Sequence, residues 1–169
     1  LIDSVDSSIT SNITLVTIRR NLKAVLGQFA QYEVCYGNMF HTQESSYNVV
    51  STGFTIEGVT GTVYLADEVI NREKGRIFFF TYTEGGTPNI VKKNAGTVDY
   101  MHGEILIDTV NITSTVIADG VVEIQAIPHS NDIVGLRDLY VKFDMTNTTI
   151  NMVQDLIASG ENTSGSRFV

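Results

Sequence analysis

The sequence predicts an α+β fold, a mostly antiparallel β-sheet with an N-terminal and a C-terminal helix. Three observations lead there. From Gly53 to Ala126, β-branched and aromatic residues alternate with polar ones, and Gly, Asn or Asp recur between the runs. Near each end, apolar residues recur at steps of three and four, the spacing of one helical face. The order helix, many strands, helix also differs from the strand and helix alternation of a doubly wound fold. The expected organisation is 1–52 for an N-terminal helix, a short strand and a long polar loop, 53–146 for a β-rich core, and 147–169 for a C-terminal helix and tail.

Taken in order, Ser8 to Ser11 offer capping side chains before Leu15, Ile18, Leu22, Val25, Leu26 and Phe29, and Gly27 sits where a helix stop belongs. A helix is expected over 11–26, with Arg19, Arg20 and Lys23 on its wet side. A strand follows at Tyr32 to Tyr36, then an aperiodic polar loop from Gly37 to Ser51. Strands are expected at Phe54 to Glu57, Thr62 to Leu65, Arg76 to Thr83, Ile90 to Lys93, Thr97 to Tyr100, Glu104 to Ile112 and Val121 to Ile127. Gly96 to Asp108 reads as a β-hairpin with Val98, Tyr100, Ile105 and Ile107 facing one way. The run Ile77, Phe78, Phe79, Phe80, Tyr82 places apolar groups on both faces of its strand, as in a central strand covered twice or one with a face against another subunit. Pro128 ends the Val121 strand. A further strand is expected at Leu139 to Phe143. Asn147 or Thr148 then caps a helix carrying Ile150, Val153, Leu156 and Ile157, with Gly160 past its end.

Composition bounds the function. A chain of 169 residues that is 43% hydrophobic and 18% charged is able to bury a core. The net charge of −8, with no basic cluster larger than Arg19-Arg20 or Lys92-Lys93, argues against nucleic-acid binding. No apolar run approaches the roughly 20 residues of a membrane span, and no signal-peptide pattern opens the chain. Leu1 and the Ser/Gly-containing end suggest a piece of something longer. Cys35 is the one cysteine, which excludes an internal disulfide and fits a reducing compartment; between Val34 and Tyr36 it reads as a small buried hydrophobe.

No chemistry-bearing constellation stands out. His41, His102 and His129 are far apart in sequence and lack metal-ligand spacing. The nearest carboxylate pairs, Asp3 with Asp6, Asp67 with Glu68 and Asp99 with Glu104, read as solvated groups. There is no G-x-S-x-G, P-loop or G-x-G-x-x-G; Gly58 to Gly61 and Gly85-Gly86 read as turns. Catalytic, metal-binding and cofactor-binding residues are therefore expected to be none, with no cofactor and no small-molecule substrate.

The Gly96 to Asp108 hairpin and the run Val121-Val122-Glu123-Ile124-Gln125-Ala126-Ile127-Pro128-His129-Ser130-Asn131-Asp132 resemble baseplate wedge proteins of contractile-tailed phages. In particular they resemble the large ring-forming wedge subunit of T4-like phages, in the baseplate J-like family. Ser7 to Gly27 is also similar to the helix that precedes the sheet region in that subunit. The resemblance implies a virion component of the tail baseplate, assembled in the host bacterial cytoplasm and without enzymatic activity. It further implies a homodimer that joins other wedge proteins in a ring around the hub, a ring that changes diameter when sheath contraction is triggered. It transfers no catalytic residue and maps no interface residue.

The expected function is thus that of an assembly subunit working through contacts. Two alternatives stand beside it. One is a carbohydrate- or receptor-binding module in which Tyr36, Tyr47, Tyr64 or Tyr82 stacks on a sugar; the other is a hydrolase whose carboxylates converge from distant parts of the chain.

Overall fold

The computed structural model describes residues 17–129 and 149. These residues form nine strands, all paired antiparallel and joined by turns and loops, with one 3-10 turn at Ala118–Gly120. The strands are β1 (Ile18–Lys23), β2 (Phe29–Cys35), β3 (Val49–Ser51), β4 (Phe54–Ile56), β5 (Tyr64–Val69), β6 (Lys74–Tyr82), β7 (Pro88–Asp99), β8 (Glu104–Thr115) and β9 (Val121–Ala126). They pair in the order β1-β9-β3-β5-β6-β7-β8-β2, with β4 joined to the far end of β8. The two end strands, β1 and β2, are consecutive in sequence, so the sheet curls into a nearly closed barrel.

The α+β expectation is overturned. Where a helix was expected over 11–26, the described part forms β1, paired residue by residue with β9 from Ile18↔Ala126 to Lys23↔Val121. The physical reason lies in the spacing. Ile18 and Leu22, four apart, share a face in a helix and in a strand alike; both are buried in the barrel. Of the other residues on the supposed helical face, Val25, Leu26 and Phe29 are exposed, and Leu15 lies outside the described residues. Gly27 at φ 72 makes the tight link between β1 and β2 instead of stopping a helix. The expected strand at Leu139 to Phe143 and the helix from Asn147 to Gly160 lie outside the described residues.

Elsewhere most of the expected strands form, although the one expected at Thr62 to Leu65 runs instead from Tyr64 to Val69 as β5. The hairpin pairs Gly96↔Ile107, Thr97↔Leu106, Val98↔Ile105 and Asp99↔Glu104, and Val98, Tyr100, Ile105 and Ile107 are all buried. The two short runs expected at Ile90 to Lys93 and Thr97 to Tyr100 merge into β7, whose register against β6 shifts between Lys92 and Gly96. At φ 154, Gly96 passes so close to Leu106 that a Cβ would overlap its carbonyl oxygen. Two of these elements are short: β3, three residues long, lies within the segment read as loop, and β4 runs only from Phe54 to Ile56.

The barrel interior is one apolar cluster that includes Leu22, Val34, Phe40, Leu65, Ile77, Phe79, Tyr100, Ile105 and Ile124. A second, smaller cluster lies on the opposite face of β5 and β6, built from Ala66, Phe78 and Phe80 with Val50 and Tyr64 against it. Strand β6 is therefore apolar on both faces because both are covered.

No ladder joins β1 to β2 among the described residues. Side chains span the seam instead. The Arg20 guanidinium lies 5.9 Å from the centre of the Tyr36 ring, and the Tyr32 hydroxyl accepts the Val25 N–H at 3.1 Å. Arg19, Arg20 and Lys23 on β1, and a bulge between Ala30 and Tyr32 in β2, blunt the two edges against pairing with other strands.

Candidate functional site

Side chains alternate along β6, so Ile77 and Phe79 point into the barrel while Phe78, Phe80 and Tyr82 point out. On the neighbouring β5, Tyr64 pairs with Phe80 and Ala66 with Phe78; on β7, Ile90 pairs with Phe80. The result is an aromatic outer face. Tyr64 and Tyr82 pack against Phe80 at centroid distances of 5.7 and 5.3 Å, and against each other at 5.2 Å. Such pairs add about 0.5–1.5 kcal/mol each beyond area burial. The Glu68–Arg76 pair, 3.6 Å apart across β5 and β6, borders the face.

The loop 41–48 completes this face with Tyr47, whose ring meets Phe78 and Phe80 edge-on at 5.6 and 6.0 Å. Ser46 and Tyr47 both hold positive φ, 68 and 60, a conformation that disfavours side chains with a Cβ by about 1–2 kcal/mol per residue. The compensation comes from inside the barrel. Asp67 is fully buried, and its carboxylate accepts three hydrogen bonds, from the Tyr100 hydroxyl at 2.5 Å, the Val49 N–H at 2.7 Å and the Asn48 side chain at 3.0 Å. Asn48 in turn accepts the Gln43 N–H at 2.6 Å, the Tyr47 N–H reaches the Asp67 carbonyl at 3.1 Å, and Ser46 Oγ accepts the Val69 N–H. Burial, together with the adjacent carboxylate, drives the Tyr100 hydroxyl far above its ordinary pKa. It stays a donor. Gly75 makes room for it, since a Cβ there would overlap that hydroxyl.

Of the four tyrosines considered as sugar-stacking groups, Tyr47, Tyr64 and Tyr82 converge on this face. Tyr36 does not. It is buried, donates to the Ile124 carbonyl at 2.5 Å, and desolvation pushes its pKa up to about 12. Nearly half of Tyr47 and more than half of Tyr82 remain exposed, at 45% and 55%.

The remaining residues singled out from the sequence scatter. Cys35, expected to be buried, is exposed on β2; a hydrogen bond to Glu33 at 3.3 Å raises the thiol pKa, which disfavours the reactive thiolate. Asp67 and Glu68 face opposite ways, one buried and one wet. Asp99 and Glu104 pair across the hairpin and, with Glu33, Lys74, Thr97 and Leu106, line a shallow groove of about 400 Å³. There Asp99 is held below the usual carboxylate range by bonds from the His102 backbone and ring, the opposite of what a proton donor needs. His41 and His129, 88 residues apart in sequence, lie side by side with ring centres 6.4 Å apart. Asp3 and Asp6 lie outside the described residues.

Comparison with protein-family models, with curated proteins and with solved structures gives no match.

Proposed function

We propose that this chain is a structural subunit that works through protein contacts, in a phage tail baseplate wedge as the sequence resemblance implies. The observation that carries the reading is the aromatic outer face of β5 and β6. Phe78 and Phe80 form its floor, and the half-exposed Tyr47 and Tyr82 crown it. Aromatic side chains are enriched at the cores of protein interfaces, where rigid rings bury much area at little entropic cost. A rigid barrel with a buried polar clamp holding one of those rings suits a contact surface better than a reaction cleft. In this reading the partner is a second copy of the chain, and further wedge proteins bind elsewhere.

The test is mass in solution by light scattering across a concentration series, on the wild type and on a Tyr47→Ala/Tyr82→Ala double variant. A dimer that dissociates in the double variant is expected. A wild type that stays monomeric throughout, or a dimer indifferent to both substitutions, would overturn the assignment of this face.

One specific observation favours a second reading. Three of the four tyrosines considered for sugar stacking share this face, so glycan recognition is the alternative. The mutual edge-on packing of the rings uses part of the surface that a sugar would need. Binding on a glycan array that disappears with Tyr47→Ala would favour it over self-association.

A further inference from the structure

Chain segments 39–41 and 127–129 run antiparallel as a narrow two-stranded ladder. Phe40 and Pro128 are paired across it, the His41 N–H donates to the Ile127 carbonyl at 2.7 Å, and the His129 N–H donates to the Met39 carbonyl at 2.8 Å. Proline fits because this central pair asks no N–H of either residue. Phe40 and Pro128 are both buried, pointing into the barrel. Alternation then puts Met39, His41, Ile127 and His129 on the outer side, where Met39 and His41 are half-buried and His129 is exposed. The two imidazoles stand diagonally across the ladder, ring centres 6.4 Å apart and planes inclined by 31°.

This separation suits a shared metal ion. With metal–nitrogen bonds of about 2.0–2.1 Å, two imidazoles on one ion have centres from about 4.5 Å apart when adjacent to about 6.5 Å when opposite. Neither ring makes a hydrogen bond or an ion pair with another described residue. Met39, directly across from His129, brings a thioether to the same face. Among the described residues no group of three or more His, Cys, Asp and Glu side chains is placed to share an ion, so no described carboxylate joins the two imidazoles to supply the oxygen ligands that magnesium or calcium require.

The geometry points to a surface site for a late transition ion, held by the imidazoles of His41 and His129 with Met39 as a third ligand, and suited above all to Cu⁺. The ladder fixes the backbone on both sides, so the ligands are pre-positioned and only side-chain rotation is needed to close on the ion.

The chain contains three histidines, so His102 is an internal control. The wild-type protein is titrated in separate experiments with Cu⁺ under reducing conditions, with Zn²⁺ and with Mg²⁺, while the histidine ring and methionine methyl resonances are followed by NMR. One equivalent of Cu⁺ is expected to move His41, His129 and Met39 together and leave His102 in place, with Mg²⁺ silent. His41→Ala or His129→Ala, each checked for an unchanged melting temperature, is expected to weaken Cu⁺ and Zn²⁺ binding about tenfold or more. Met39→Leu should weaken Cu⁺ alone. Equal response of His102, either histidine variant binding as the wild type does, or no binding up to about 1 mM metal would overturn the site. Unchanged Cu⁺ affinity in Met39→Leu would overturn the thioether's part in it.

Discussion

Replacing Asp67 by alanine removes the acceptor on which three buried donors depend, the Tyr100 hydroxyl, the Asn48 amide and the Val49 N–H. Each buried donor left without a partner destabilises by about 1–3 kcal/mol, which sums to about 3–9 kcal/mol if nothing relaxes. Relaxation is available on one side only. Asn48 sits on the loop 41–48 and is able to turn toward water, whereas Tyr100 is enclosed in the core. With the Val49 N–H and the Tyr100 hydroxyl left unpaired, the expected loss is about 2–6 kcal/mol, a large share of the roughly 5–15 kcal/mol that holds a domain of this size together. Urea unfolding followed by far-ultraviolet circular dichroism measures it, with an unchanged m-value showing that the same surface is exposed. Tyr100→Phe, which removes one donor and leaves the carboxylate its other two, is expected to lose about 1.5–3 kcal/mol. The near-ultraviolet tyrosine signal should fall further in Asp67→Ala, because Tyr47 loses its anchored loop. A loss under about 1 kcal/mol for Asp67→Ala would refute the argument that this carboxylate clamps the aromatic face.

Other outcomes follow from the same geometry. In the β7–β8 turn, His102 Nδ1 lies 3.1 Å from Asp99, which raises the imidazole pKa, while the His102 backbone N–H, with the ring beside it, lowers that of the carboxyl. The histidine contribution is present below its unfolded pKa and fades as pH rises through the raised folded value; the Asp99 contribution is present above its unfolded pKa and fades as pH falls through the depressed one. The turn is therefore most stable between the two, and an NMR titration should find the His102 pKa falling toward the ordinary value in Asp99→Asn. Gly96→Ala forces a Cβ against the Leu106 carbonyl and is expected to cost near the top of the about 1–3 kcal/mol typical of overpacking, read as a drop in melting temperature. Phe80→Ala should lose about 3–5 kcal/mol on urea unfolding, whereas Tyr82→Ala at the rim should lose under about 1 kcal/mol.

Parts of the sheet were legible because strands such as β8 and β9, with one face in the barrel, write their alternation plainly into the chain, whereas β5 was placed two residues early and cut short. The Gly96 to Asp108 hairpin is the best case, since four inward residues fall at period two around a glycine-bearing turn. The first strand was misread because Ile18 and Leu22 satisfy both periods, and only the partner strand β9, distant in sequence, decides between them. Three residues are too few to show any period, so β3 vanished into its loop. The aromatic face was half legible. The run from Ile77 to Tyr82 announced apolar groups on both sides of one strand, but Tyr47 joins it through a loop that only the interior polar clamp holds in place. Asp67 beside Glu68 reads as a wet acidic pair; its place in the alternation Leu65, Asp67, Val69 was the one signal that it faces inward. Nothing local could place His41 beside His129.

The pairing of the first described strand with the last sets an order of events during synthesis. Ile18 finds Ala126, 108 positions later, so β1 leaves the ribosome well before its partner exists. At about 5–20 residues per second, that is a wait of about 5–20 seconds in which the strand has no ladder partner. Arg19, Arg20 and Lys23 occupy half of that strand's six positions, and three like charges make a poor template for another nascent chain. The same residues that disguised β1 as the wet side of a helix keep it from pairing wrongly until β9 arrives to shut the barrel.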